Sequence, residues 1–411
     1  MEEKHSMKVT LINPNQNFLI DKSMSEPLGL MYIEEVLLNK GVEVNFVDLS
    51  FDKIIPDADM YCFTSSTASI KDVIKIAGTL DGYKVLGGPH ASALPTDSLN
   101  HFDAVVVGAG DKAILDIVDD FNNKQSGGIF KREVKKEDIL IPSRPILNRL
   151  VYTVTEPFVR SATVMSSRGC PNRCSFCASN VIWGRHVTFF DIESVIIEIK
   201  YLRDKFNIYN FKFIDDVFTL NKDRFLNLAG RLNKLGIAWT CNTRVDLLDV
   251  DIVDSMKKGG CTCIDLGVES IEDRVLKGIH KHQTVQNCVD AIELIKSKNI
   301  KVKVYIVSGL PFESDKIVQN TIEFIKKTNP DQVMLYTLIP YPGTDIWNNP
   351  DKYNVTELLK DFSLYRHYIG RDEKELTTMF NLSYKDKSFD ELRNNRNKLK
   401  RFCNKWNRDK L

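Results

Sequence analysis

Apolar positions along this chain fall into short runs that alternate with stretches of helical spacing. Lys8-Val9-Thr10-Leu11-Ile12 is one such run, closed by Asn13-Pro14. A helix is expected from about Pro27, with proline in its tolerated first-turn place and Gly41 beyond the end. Val42–Val47 alternates like a strand, and Met60–Thr64, Lys84–Gly87 and Ala104–Val107 read as buried strands. Helical spacing near 69–80 and 111–122 separates or follows them. Strands alternating with helices predict an α/β fold: a doubly wound parallel sheet over residues 7–122. Residues 123–155, with Gly127-Gly128 and a mixed charge cluster from Lys131 to Asp138, have the composition of a linker.

The alternation then resumes. A strand at about 161–166 is followed by a helix from Asp191, an N-cap residue type. Further strands are expected at Asn210–Ile214, Ala238–Cys241, Cys263–Val268, Lys301–Val307 and Gln332–Ile339. Six β/α units over 156–345 are too few for a full eight-unit barrel. Residues 346–411 read as a helical extension, with a helix over Tyr353–Asp372 and a terminal helix opened by the capping box Ser388–Glu391. The basic residues of that last helix read as a solvated face, and Cys403 as an exposed thiol.

Composition narrows this little. Lys plus Arg (56) nearly balances Asp plus Glu (55), so no overall charge points to nucleic acid or an anionic membrane. No apolar run is long enough to span a bilayer, and Met1–His5 does not open a secretion signal. The nine cysteines are not spaced as a disulfide framework. A reducing cytoplasm is the expected location. Cys241, Cys261 and Cys263 lie on strands and read as small core residues.

Cys170, Cys174 and Cys177 change the picture. They lie at spacing C-x3-C-x2-C on one loop, after the first strand of the second half. Three soft thiolates on one loop suit three corners of an iron–sulfur cube and leave one iron open. A closed zinc site needs four protein ligands, and no second C-x2-C or H-x3-5-H lies nearby. Polar residues recur at the carboxyl ends of the later strands: Asp215 and Asp216, Asn242 to Arg244, Glu269 and Ser270, Ser308 and Gly309, and Tyr341 to Thr344. Barrel chemistry sits at those ends. Taken singly, each residue also fits a helix cap or a surface ion pair.

The cysteine loop resembles the radical S-adenosylmethionine (SAM) superfamily, whose motif is C-x3-C-x-aromatic-C. Phe176 fills the aromatic slot and Ser167-Arg168-Gly169 matches the usual lead-in. The resemblance implies a partial (β/α)6 barrel holding a [4Fe–4S] cluster, with SAM chelating the fourth iron. One electron, from a reductant such as flavodoxin or ferredoxin, then cleaves SAM to methionine and a 5′-deoxyadenosyl radical. SAM needs carboxylate or carbonyl acceptors for its ammonium, an arginine fork for its carboxylate and a carboxylate for its ribose diol. Asp215 or Asp216, Arg244 and Glu269 are the respective candidates.

The strand ends of the first half also resemble the cobalamin-binding domain of one branch of that superfamily. They carry Ser65 and Thr67, Gly87-Gly88-Pro89-His90, and Gly108-Ala109-Gly110-Asp111, beside the phrase Pro27-Leu28-Gly29-Leu30. No D-x-H-x-x-G motif is present, and the last strand end lacks the common G-E-G-E. The resemblance implies a cobalamin-dependent C-methyltransferase acting on an unactivated carbon. Two alternatives stand beside it. One is a radical SAM enzyme with a degenerate corrin domain, catalysing a rearrangement, coupling or oxidation. The other is a non-catalytic cluster or SAM sensor. The substrate stays open among small molecules and biopolymers.

Overall fold

The computed structural model describes residues 7–15, 21–24, 26–155, 159–365 and 380–410. Strands β1 (Lys8–Asn13), β2 (Glu43–Asp48), β3 (Met60–Thr64), β4 (Tyr83–Gly87), β5 (Ala104–Val106) and β6 (Gly128–Phe130) form one parallel sheet in the order β2-β1-β3-β4-β5-β6. Helices α1 (Leu28–Asn39), α2 (Ile70–Ala77), α3 (Pro89–Ala93), α4 (Pro95–Leu99) and α5 (Ala113–Asn122) connect them. Val9 and Leu11 face one apolar core and Ile12 and Phe63 another, so both faces are covered and the strands read as apolar runs. The order reverses between β1 and β3, the place where doubly wound sheets take ligands.

β6 falls inside the expected linker and corrects it. Its three residues pair with β5, and Gly127 packs so tightly that a Cβ would lie 2.2 Å from the Asp103 carbonyl oxygen. The same segment buries Arg144 completely. Its guanidinium donates to Glu26 Oε1 at 2.8 Å, to the Thr163 carbonyl at 2.8 Å and to Glu198. A buried guanidinium requires such partners, and this one ties the segment before α1 to the second half of the chain.

In that second half, β7 (Ser161–Val164) leads into the short antiparallel pair β8 (Ser167–Arg168) and β9 (Thr188–Phe189), with α6 (Ser179–Trp183) between them. Then follow α7 (Ile192–Phe206), β10 (Asn210–Phe213), α8 (Lys222–Leu232), β11 (Ala238–Thr243), α9 (Val250–Lys258), β12 (Cys261–Glu269), α10 (Asp273–Gly278), α11 (Val285–Ser297), β13 (Lys301–Ser308), α12 (Ile317–Thr328), β14 (Gln332–Thr337) and α13 (Asp345–Asn348). The sheet is parallel in the order β14-β13-β12-β11-β10-β7. Its strands run in chain order, as in an opened barrel. Phe211, Trp239, Ile264, Val304 and Val333 belong to one large core. Asp191 caps α7 by accepting from the Ser194 amide at 3.0 Å.

The extension departs from the expected helix over Tyr353–Asp372. β15 (Val355–Leu358) pairs antiparallel with β16 (Leu382–Tyr384), and residues 366–372 lie outside the described residues. Asn354, at φ 57°, turns the chain into a segment led by β-branched Val355 and Thr356. α14 (Phe389–Lys410) starts at the expected capping box, with Ser388 N donating to Glu391 Oε2 at 2.8 Å. Its Leu392, Arg396, Leu399 and Cys403 are buried, so neither Arg396 nor Cys403 is on a solvated face. Asn407 pairs with both backbone groups of Val333 at 2.9 Å, covering the β14 edge. Among the described residues no helix is long and apolar enough to cross a membrane.

Candidate active site

The cysteine loop is held from three sides. Asp215, at the end of β10, is buried and accepts from Ser166 N (2.9 Å), Ser166 Oγ (2.7 Å) and Ser167 Oγ (2.6 Å). Gly169 N donates to Asp216 Oδ2 at 3.0 Å. Gly169 itself sits at φ +94°, where a Cβ would lie 2.2 Å from the His186 carbonyl oxygen, so only glycine fits. Ser175 N donates to the Ile279 carbonyl at 3.0 Å, and its own carbonyl accepts from Ile346 N at 3.1 Å. Phe176 packs against the apolar cluster that includes Val275, Ile279 and Leu310.

All three cysteines of the loop are free and half-buried. Burial pushes the Cys177 thiol up to about 12, and the neighbouring Cys174 and Cys170 add to the rise. Burial also raises Cys174, while Lys281 and Arg244 draw it down. No three His, Cys, Asp or Glu side chains among the described residues converge as ligands of one ion. A cube holds each thiolate on a separate iron. Three half-exposed thiols on one clasped loop, beside two cations, suit that group.

The strand ends place the SAM candidates unequally. Asp215 is closed off by its three donors, which corrects its expected role: it braces the cluster loop and presents no open face to an ammonium. Asp216 is exposed, and burial by the surrounding protein still raises its carboxyl pKa. Arg244 donates to Asp246 Oδ1 (2.9 Å) and Oδ2 (3.0 Å) and to the Lys281 carbonyl (2.6 Å). Its remaining Nη1 lies 3.7 Å from Cys174 Sγ. Glu269 has φ 64°, next to a register shift between β12 and β13. A left-handed glutamate at a bulge is strained, and bulges re-aim side chains at functional sites. Its Oε1 meets Lys281 Nζ at 2.8 Å.

Lys281 is the residue that the sequence did not single out. It lies in the run Lys277-Gly278-Ile279-His280-Lys281-His282, which reads as an ordinary basic loop. In the fold it is buried; burial opposes its charge, but Glu269 and then Cys174 hold its pKa above the usual lysine value. Glu269, Lys281 and Arg244 therefore form one charged wall facing Cys174.

The first sheet's strand ends meet the loop that follows the cysteines. α3 packs against α6, and Gly108 approaches Ile182 so closely that a Cβ would lie 3.2 Å from its carbonyl oxygen. Gly108 N donates to Ser92 Oγ at 3.0 Å. Ser65 N donates to the Gly87 carbonyl at 3.1 Å, and His90 N to the Ser65 carbonyl at 3.0 Å. Gly88 precedes α3 at φ +91°. The side chains of Ser65, Thr67 and His90 are buried. His90 Nδ1 lies 3.4 Å from Thr67 Oγ1, its ring meets Phe362 edge-on, and burial lowers its pKa to about 4. His90 is packed into the turn, so what this face offers a ligand is chiefly backbone and glycine.

A family model described as the radical SAM superfamily matches residues 164–325. A methyltransferase of Pyrococcus horikoshii, itself uncharacterized, is 31% identical over 381 residues, covering 83% of this chain and 82% of its own. The chain belongs to the radical SAM superfamily. It is a radical SAM enzyme of the branch with an N-terminal cobalamin-binding-like domain. The bacteriochlorophyllide d C-12(1)-methyltransferase of Chlorobaculum tepidum is 23% identical, over 84% of this chain and 78% of its own. The same two-part fold occurs in the solved radical SAM methyltransferase TsrM of Kitasatospora setae, with cobalamin and a [4Fe–4S] cluster bound. Its TM-score is 0.68 at 17% identity, covering 83% of this chain and 77% of that one.

Proposed function

We propose that this radical SAM enzyme is a cobalamin-dependent C-methyltransferase acting on an unactivated carbon. The observation that carries the reading is the facing of two sites: the ligand-taking end of the first sheet opens onto α6, directly after the cysteine loop. Relatives named as methyltransferases support it. When bound, the cluster supplies the electron that cleaves SAM and the corrin supplies the methyl group. The chain's own part is to hold and orient them. Cys170, Cys174 and Cys177 hold the cluster. Asp216 receives the SAM ammonium, and Glu269 the ribose diol. Arg244 and Lys281 receive the carboxylate. Gly87, Gly88 and Gly108, at the strand ends of the first sheet, line the face that would take the corrin, and the packed domain junction excludes water from the radical. A low-potential reductant such as flavodoxin or ferredoxin, in the cytoplasm, supplies the electron.

The test is anaerobic reconstitution with iron, sulfide and hydroxocobalamin, followed by desalting. Retained corrin absorbance, and transfer of label from methyl-labelled SAM to corrin, are expected. A cluster-loaded protein that forms 5′-deoxyadenosine but retains no corrin would leave the degenerate-corrin reading in its place. Relatives named as anaerobic magnesium-protoporphyrin IX monomethyl ester cyclases speak for chemistry other than methyl transfer, and say nothing of corrin either way.

A further inference from the structure

Arg168 lies two residues before the first cluster cysteine, yet its side chain points to the other domain. Nη1 donates to Asp111 Oδ2 at 2.8 Å, and both side chains are buried. Asp111 ends the loop after β5, on the first sheet's ligand face. The Arg168 guanidinium also lies over three rings: Tyr32 at 4.7 Å, Phe190 at 5.3 Å and Trp183 at 5.6 Å. Tyr32 belongs to α1, Trp183 to α6, and Phe190 follows β9. One cation therefore touches α1, the β5 loop, the end of the cluster segment and the β8–β9 pair.

The bonding is single-stranded in a place where arginine usually makes a fork. Arg168 Nε and Asp111 Oδ1 are both buried without a hydrogen-bond partner. Stability alone does not call for such a pair, because apolar residues of similar volume often replace a buried ion pair without loss. An ion pair inside an aromatic box does fix geometry, since charge sets the distance and the rings set the tilt.

We propose that Arg168 is a positioning residue: clamped to Asp111 inside the Tyr32–Phe190–Trp183 box, it sets how the first sheet's ligand face is held over the cluster loop. Its bearing on catalysis rests on the corrin reading above. The clamp itself does not, because both of its ends are groups of this chain.

Two measurements on the full chain test it. The first uses cluster-loaded protein without corrin and follows hydrogen exchange of residues 108–111 and 179–184. Asp111→Asn is expected to exchange there at least about tenfold faster than wild type, since breaking a buried pair loosens its surroundings locally. β10 and β13 should stay unchanged, and iron content should match wild type. The second adds hydroxocobalamin, reduces the sample and records the relaxation of the cob(II)alamin EPR signal by the reduced cluster. Arg168→Gln and Asp111→Asn should shift or broaden that coupling, and Arg168→Lys, which keeps the charge, should restore part of it. Wild-type exchange in Asp111→Asn overturns the clamp. Altered exchange with wild-type coupling overturns its role in positioning. Altered exchange in a protein that binds no corrin supports the clamp and removes the corrin reading instead.

Discussion

Replacing Gly267 by alanine tests the SAM pocket without altering any side chain assigned to it. A Cβ at 267 would lie 2.6 Å from Glu269 Oε1 and 2.9 Å from Lys281 Nζ, where ordinary contact begins at 3.4 Å. The carboxylate must then retreat by about 0.8 Å and the ammonium by about 0.5 Å. Both are the far ends of flexible side chains, so the fold yields easily. Alanine also favours a strand over glycine by about 0.5–1 kcal/mol. Stability should therefore stay within about 1 kcal/mol of wild type. A displacement approaching 1 Å in a positioning group is worth up to about a hundredfold in rate. Under dithionite, Gly267→Ala should form 5′-deoxyadenosine about 10- to 100-fold more slowly, with weaker SAM-induced change in the cluster EPR signal. Iron content and melting temperature should be preserved. Wild-type SAM affinity and cleavage in this variant would place the SAM pocket away from Glu269 and Lys281.

Other perturbations read different parts of the molecule. Glu34 in α1 is buried with one carboxylate oxygen unpartnered, and burial first, then Glu35, raises its pKa from 4.5 to about 7. The folded state therefore keeps a proton that the unfolded state has lost, and stability falls as pH rises from 4.5 to about 7, then levels. Glu34→Gln should stabilise the protein by about 3 kcal/mol at pH 8 and hardly at all near pH 4.5 in denaturant titrations; equal effects at both would refute the titration. His90→Ala should leave the visible spectrum of any bound corrin unchanged, because the imidazole is buried against Thr67 and Phe362; a changed axial-ligand band would make His90 a cobalt ligand. Single alanine substitutions at Cys170, Cys174 or Cys177 should each abolish reconstituted iron, whereas Cys241→Ala and Cys263→Ala should retain it.

The strands of both sheets were legible because the sheets are covered by helices and their strands are apolar runs. β6 escaped because three residues behind Gly127-Gly128 look like a turn, and only the pairing with β5 makes them a strand. β15 and β16 escaped for a similar reason, being a non-local antiparallel pair inside charged sequence. At the site, the cysteine spacing and the polar strand ends were visible as local signals. The division of labour among them was not. Asp215 and Asp216 are adjacent in sequence, yet one faces inward to Ser166 and Ser167 and the other is exposed. Lys281 has no motif, and its importance comes from a bulge in β12 that aims Glu269 at it. Arg168 was noticed as part of a lead-in phrase, but its partner lies 57 residues away in another domain.

The most direct test is anaerobic reconstitution of the full chain, with iron, sulfide and zinc counted and the reduced EPR spectrum recorded before and after SAM. A full [4Fe–4S] complement is expected, with a signal that SAM reshapes, because SAM occupies the iron that Cys170, Cys174 and Cys177 leave open. Zinc at these cysteines, or a cluster signal indifferent to SAM, would contradict it.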